Sequence, residues 1–164
     1  MYDCGFTKEN NWFRYRAAAI IIEDDCVLFA GNEHEDYYYS IGGGVHMGES
    51  AEQCISREVF EETGIHYEID HLAVICENFF TGHGGLIDGL DCHCLEFYFV
   101  MKSRGSQELN SNSLNMDNEL EEMHWVPIDE IEKVNIKPSF LKDRIKEIIN
   151  GNSVIHVVCD EDRE

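Results

Sequence analysis

Apolar residues recur in two rhythms along this chain. Alternating and continuous runs at residues 13–22, 26–30, 37–41, 69–80, 94–101 and 123–126 read as strands, and a further strand is expected near 154–159. Elsewhere the rhythm lengthens: Ala51, Ile55 and Val59 fall at i, i+4 and i+8, giving a helix one apolar stripe to bury against a sheet. Ser50 and Gln53 form an S-x-x-Q pair whose side chains satisfy the first free helical amides. Gly64 stands where a left-handed residue ends a helix. The spacing therefore predicts a helix over Ala51–Thr63, about three and a half turns long, and a second helix is expected over 139–150. This order suits an α/β fold, an α/β/α sandwich with a mixed β-sheet. At 164 residues the chain reads as one domain, 1–164, with a core large enough to fold alone, and no repeat, low-complexity run or linker divides it. The acidic stretch 160–164 reads as a frayed tail.

Charge narrows the partners. A formal net charge of −21 with only 12 Lys and Arg argues against general nucleic-acid binding, because phosphate backbones are held by those cations. The 7 cysteines, without an N-terminal apolar signal segment, point to a reducing cytoplasm and free thiols. The longest apolar run, 17–22, is too short to cross a membrane. Cys92-His93-Cys94 suggests zinc at first sight, but alternation puts the cysteines on one face of a strand and the histidine on the other.

The chemistry concentrates on the first helix. Glu58, Glu61 and Glu62 crowd one side of a turn and repel one another. A solvated charged face is the alternative reading, and it fits Glu52 and Glu61 individually. Against it for the whole cluster stand Gly42, Gly43 and Gly44, which let the backbone approach a ligand closely, directly ahead of a helix start whose amides favour anions. Carboxylates and carbonyl oxygens suit a hard cation such as Mg²⁺ or Mn²⁺, which also screens phosphates. Helical neighbours point about 100° apart, so Arg57 is expected to hold Glu49 or Glu61 rather than Glu58. Tyr37, Tyr38, Tyr39, Phe79 and Phe80 are candidates to stack a base, although strand aromatics more often fill a core.

Residues 43–65 also form a complete box: Gly43, five residues, Glu49, seven residues, then Arg57, Glu58, Val59, Glu61, Glu62, Gly64 and Ile65 at fixed offsets. With average residue usage, such a coincidence arises on the order of once in 10⁹ starts. On this box the chain resembles a Nudix hydrolase, and the resemblance extends over 16–29, 77–80, 95–101 and 125–131. It implies hydrolysis of a nucleoside diphosphate linked to another moiety, by attack of water on a diphosphate phosphorus with Mg²⁺ or Mn²⁺ bound. Carried over, Glu58, Glu61 and Glu62 are metal ligands, with the Gly43 carbonyl as an additional one. The general base is Glu58 or a later loop glutamate, for which Glu119, six residues before Trp125, is the candidate; Glu121 and Glu122 read as solvated. Ser40-Ile41-Gly42-Gly43 stands where members commonly have Leu-Pro-Gly-Gly, and losing that proline is expected to free the backbone at Ile41. Markers of coenzyme A, ADP-ribose and diadenosine-type members are absent or displaced, so the substrate stays open, as does the choice of metal. A silent nucleotide-binding or regulatory domain is the alternative function, distinguished by binding without turnover. Members of the family often pair, so a homodimer is compatible with the sequence, though no surface stripe marks one.

Overall fold

Alternate residues of strand β2 (Asn11–Ile20) belong to different cores, and this division builds the layers. Ala17 and Ala19 share a core with Ile55 and Val59 of helix α1 (Ala51–Thr63). Ala18 and Ile20 share the other with Phe140, Leu141 and Ile145 of helix α2 (Phe140–Asn150). Strand β4 (Cys26–Gly31) repeats the division, with Leu28 and Ala30 toward α1 and Val27 and Phe29 toward α2. The helices thus cover opposite faces of a strand layer, an α/β/α arrangement. The computed structural model describes residues 2–31, 36–111, 121–160 and 162.

The strand layer is two mixed sheets rather than one. In the first, β1 (Gly5–Lys8), β2, β8 (Asp91–Met101), β7 (Ile69–Thr81) and β11 (Ile155–Asp160) lie in that order, and β6 (Gly42–Gly44) runs antiparallel against β2. In the second the order is β10 (Ile136–Lys137), β5 (Tyr38–Ser40), β4 and β3 (Ile22–Glu23), with β9 (Glu122–Pro127) paired to β4. The run 13–22 changes partner at the wholly buried Ile21: before it the strand pairs with β8, after it with β4. Asp24 and Asp25, at φ 49° and 58°, make the tight hairpin turn that follows.

Helix α1 spans the expected residues, and its caps explain why. The Gln53 amide donates to Ser50 Oγ at 3.2 Å, and the Ser50 amide donates to Gln53 Oε1 at 2.9 Å. Gly64 closes the helix at φ 70°. Near the C-terminus Asp160 ends β11, and Asp162 accepts a 2.7 Å hydrogen bond from Thr81; the rest of the 160–164 stretch lies outside the described residues. The seven thiols are free. No helix among the described residues is long and apolar enough to cross a membrane.

Candidate functional site

Close packing of β6 on both β2 and α1 brings the carboxylates to the head of a cleft. Gly42 has φ 140°, and a Cβ there would lie 2.2 Å from the Ala17 carbonyl oxygen, so only glycine lets β6 run this close to β2. At Gly43 a Cβ would sit 2.4 Å from the Glu58 carboxylate, which occupies that space instead. The backbone is not loosened by the missing proline: Ile41 is wholly buried and its carbonyl accepts from Ala19 at 2.9 Å. The glycines do not wrap the helix start as expected. Residues 45–50 intervene before α1, so β6 lies against Glu58 and Glu62, well inside the helix.

Glu62 is 7% exposed. Its Oε1 accepts from the Gly42 amide at 3.1 Å, while Oε2 is buried without a partner. Burial, joined by the neighbouring charges of Glu121 and Glu58, pushes its carboxyl well above the ordinary range, although the Gly42 bond and Arg16 pull the other way.

Arg57 organises the rest of the cluster. Its guanidinium forks onto Glu49 with two 2.9 Å bonds and reaches the Gly44 carbonyl and Glu61 at 3.3 Å. It also bonds Glu58 Oε1 at 2.5 Å, which corrects the expectation that it passes Glu58 by. Neighbouring Cβ atoms diverge, but the long arm of arginine curls back along the helix surface. The Arg57 hydrogen bonds hold the Glu49 carboxyl down to about 2, and the His46 amide adds to the effect.

A pH-dependent stability follows from this pair. Above about pH 4.5, the ordinary value, Glu49 is ionised in both folded and unfolded chains and the stabilisation is complete. As pH falls from there toward 2 the unfolded chain takes up the proton first, and the stabilisation is lost. Glu49→Gln is therefore expected to destabilise the protein by about 1–3 kcal/mol at pH 7. The difference from wild type should shrink steadily below pH 4.5 in denaturant titrations, and a constant difference down to pH 2 would contradict the pairing.

The cleft holds about 740 Å³. Glu58, Glu61, Glu62, Gly42 and Gly43 line its inner end, with Tyr39 and Glu121 among the residues around them. Gly44 is buried off the cleft, where Arg57 takes its carbonyl. The Cys54 thiol donates weakly to the Gly43 carbonyl at 3.7 Å. Glu121 corrects another expectation: it is half-buried, not merely solvated, and accepts from the Tyr39 hydroxyl at 2.9 Å. Glu122 is exposed beside His124. Glu119 lies outside the described residues. Among the aromatic candidates, Tyr37, Tyr39 and Phe80 line the cleft, Tyr38 stacks on His124, and Phe79 packs against His93. Cys92 and Cys94 are buried, whereas His93 stands on the other face between Phe13 and Phe79.

Cleft residues that sequence reasoning passed over include Arg14, Arg16, Asn78 and Glu96. Arg16 donates to Ser40 Oγ at 3.1 Å and to the carbonyls of Ser40 and Gly42 at 2.7 and 3.3 Å, tying β5 to β6. Alternation of Arg14 and Arg16 with Phe13 and Tyr15 was the available signal, since it puts both cations on one face of β2. Among the described residues no three carboxylate, imidazole or thiol side chains converge as a ready metal cage. Arg57 holds Glu58 and Glu61 while Gly42 holds Glu62.

A family model for the NUDIX domain matches residues 12–145. A MutT-like protein of Streptomyces ambofaciens is 32% identical over 71 residues, 43% of this chain and 46% of that protein. The match thus spans less than half the length of that curated relative. Among solved structures, a MutT protein from Bacillus halodurans matches with a TM-score of 0.64 at 19% identity, over 92% of this chain and 93% of that one. A MutT protein from Methanosarcina mazei Go1 gives 0.63 at 19% identity, over 84% and 93%. At such identity the likeness shows the fold.

Proposed function

The chain belongs to the NUDIX family, and on that premise we propose that it hydrolyses a diphosphate linkage in a nucleoside diphosphate joined to another moiety, with Mg²⁺ or Mn²⁺. The observation that carries this reading is Glu62, a buried carboxyl with an unpartnered oxygen at the head of the cleft, next to Glu58. A buried acid without a partner is costly unless a cation completes it. An all-oxygen donor set of Glu58, Glu61, Glu62 and the Gly43 carbonyl suits a hard divalent ion. Bound there, such an ion supplies charge stabilisation for the departing phosphate and makes water more acidic.

The chain's own residues supply the remainder. Arg57 fixes Glu58 through Oε1, and Glu58 Oε2 takes the proton of the attacking water. Glu119 is the second candidate for that role. Arg14 and Arg16 face the diphosphate, while Gly42 and Gly43 let its oxygens come close to the backbone. Tyr39 orients Glu121 beside Glu62.

Substituting Glu62 tests the metal. Glu62→Gln keeps the shape and removes a charge that burial disfavours, so the melting temperature should stay the same or rise, within about 1 kcal/mol of wild-type stability. Wild type should gain thermal stability with Mg²⁺ or Mn²⁺, and the variant should gain far less. A wild type indifferent to both ions would remove the metal; an equal gain in the variant would remove Glu62.

A further inference from the structure

Helix α1 covers only part of its side of the first sheet. Its apolar stripe packs on Ala17 and Ala19, and the rows of side chains ahead of them run out from under it. The strand registers set Phe6, Phe13, His93, Phe79 and Asp160 side by side, and Tyr15, Leu95, Glu77 and Val158 in the next row. Phe97 and Ile75 form the row beside Ala17. Alternation turns all three rows to one side. Rings of the first row touch in sequence: Phe6 stacks on Phe13 with centroids 5.6 Å apart, and His93 meets Phe13 edge-on and Phe79 at 4.3 Å. On the central strand β8 the two faces differ. Cys92, Cys94 and Glu96 are buried, whereas His93, Leu95 and Phe97 are half-buried. Phe13, Ile75, Phe79 and Leu95 belong to neither core. Phe6 and Val158, on the two edge strands, are 59% and 60% exposed.

A sheet face that meets water carries polar residues at its outward positions, yet this one carries aromatic and aliphatic side chains. Three rows about 6.6 Å apart, across five strands about 4.8 Å apart, make a patch of about 480 Å², a size that marks interaction sites. Charge selects the occupant. At −21 overall, the chain repels nucleic acid and anionic membranes, and a basic protein would be drawn to its acidic surfaces instead. Copies of the chain repel one another for the same reason except where carboxylates are sparse. In these rows the carboxylates are Glu77 and Asp160, and Glu77 is paired with His156 at 2.9 Å. We propose that this face is the interface of a homodimer, in which a second copy lays the same rows against it across a twofold axis, sheet on sheet. Two such patches bury about 1,000 Å² in total, at the small end of specific interfaces, so association in the micromolar range is expected. The cleft stays open, because Arg14, Arg16 and Glu96 alternate to the other side of the sheet.

The test is sedimentation equilibrium of the full chain, up to about 0.5 mM, for wild type, Phe6→Lys, Val158→Lys and Phe60→Lys. Phe60 is a control: it is 43% exposed but lies on α1, stacked on His66, away from the three rows. All three positions are open to solvent, so the variants should fold, and each lysine makes the chain less negative, so added repulsion cannot explain a lost dimer. Phe6→Lys and Val158→Lys should each raise the dimer dissociation constant at least about tenfold, since each change counts twice across the twofold. Phe60→Lys should leave it within about twofold. Raising NaCl from about 0.1 to 1 M should tighten the wild-type dimer by screening the repulsion between copies. A wild type that stays monomeric, a dimer that keeps its affinity in either face variant, an equal loss in Phe60→Lys, or weakening by salt would overturn the proposal.

Discussion

Glu58→Gln should lower kcat by about 10²–10⁴-fold, the range expected for loss of a general base, while substrate binding changes little. Glu58 lies between Gly43 and Arg57, with 14% of its side chain exposed. Glutamine fills the same space, so the cradle stays packed and Arg57 keeps its fork on Glu49. What disappears is a charge that acts mainly as the water is deprotonated, so kcat and kcat/KM should fall together. The measurement is steady-state kinetics on the preferred substrate, with the melting temperature as a control on folding. Retention of most of the activity would sink the assignment of Glu58.

Gly43→Ala should damage the same function from the opposite side. The added Cβ would meet the Glu58 carboxylate at 2.4 Å, and the carboxylate, as the end of a flexible side chain, must move. A displacement of about 1 Å in a reacting group is worth on the order of 10²-fold in rate, whereas the overpacking should cost about 1–3 kcal/mol of stability. Gly42→Ala provides the contrast: its clash is with the Ala17 backbone at 2.2 Å and its φ is 140°, so that variant should lose the fold along with the activity. Kinetics beside thermal melts separates the two. A Gly43→Ala protein that works at the wild-type rate would mean that Glu58 does not need its present position.

Helix α1 was legible because its signals are local: Ser50, Gln53 and Gly64 act on amides and carbonyls within a turn of themselves. Strand β6 was not, since three glycines carry no side chains to alternate, and it forms because the alanines of β2 leave room beside them. Strand β1 is exposed throughout and so has no apolar face to announce it. The division into two sheets depends on which strand each part of 13–22 pairs with, and residues 17–22 are continuously apolar across the change of partner at Ile21. At the site, spacing brought the carboxylates of α1 together and gave Arg57 its hold on Glu49 and Glu61, but it missed the bond from Arg57 to Glu58 and the place of Glu121. Glu121 is drawn into the cleft by Tyr39, 82 residues away, which local spacing does not reveal. Asn78 and Glu96 did leave a trace, as polar residues inside apolar strands. Reading it requires the register of β7 on β8, which only the fold supplies.

The proposed activity is metal-dependent cleavage of a diphosphate by the carboxylates of α1. It is tested most directly by following phosphate and nucleotide release from nucleoside triphosphates, nucleotide sugars, ADP-ribose and dinucleoside polyphosphates. Each is incubated with Mg²⁺ or Mn²⁺, with chelator, and with the Glu58→Gln protein. The predicted result is cleavage of one class of substrate that disappears both in chelator and in the variant. Cleavage that persists in either control, or no cleavage of any class by a protein shown to bind the metal, would contradict it.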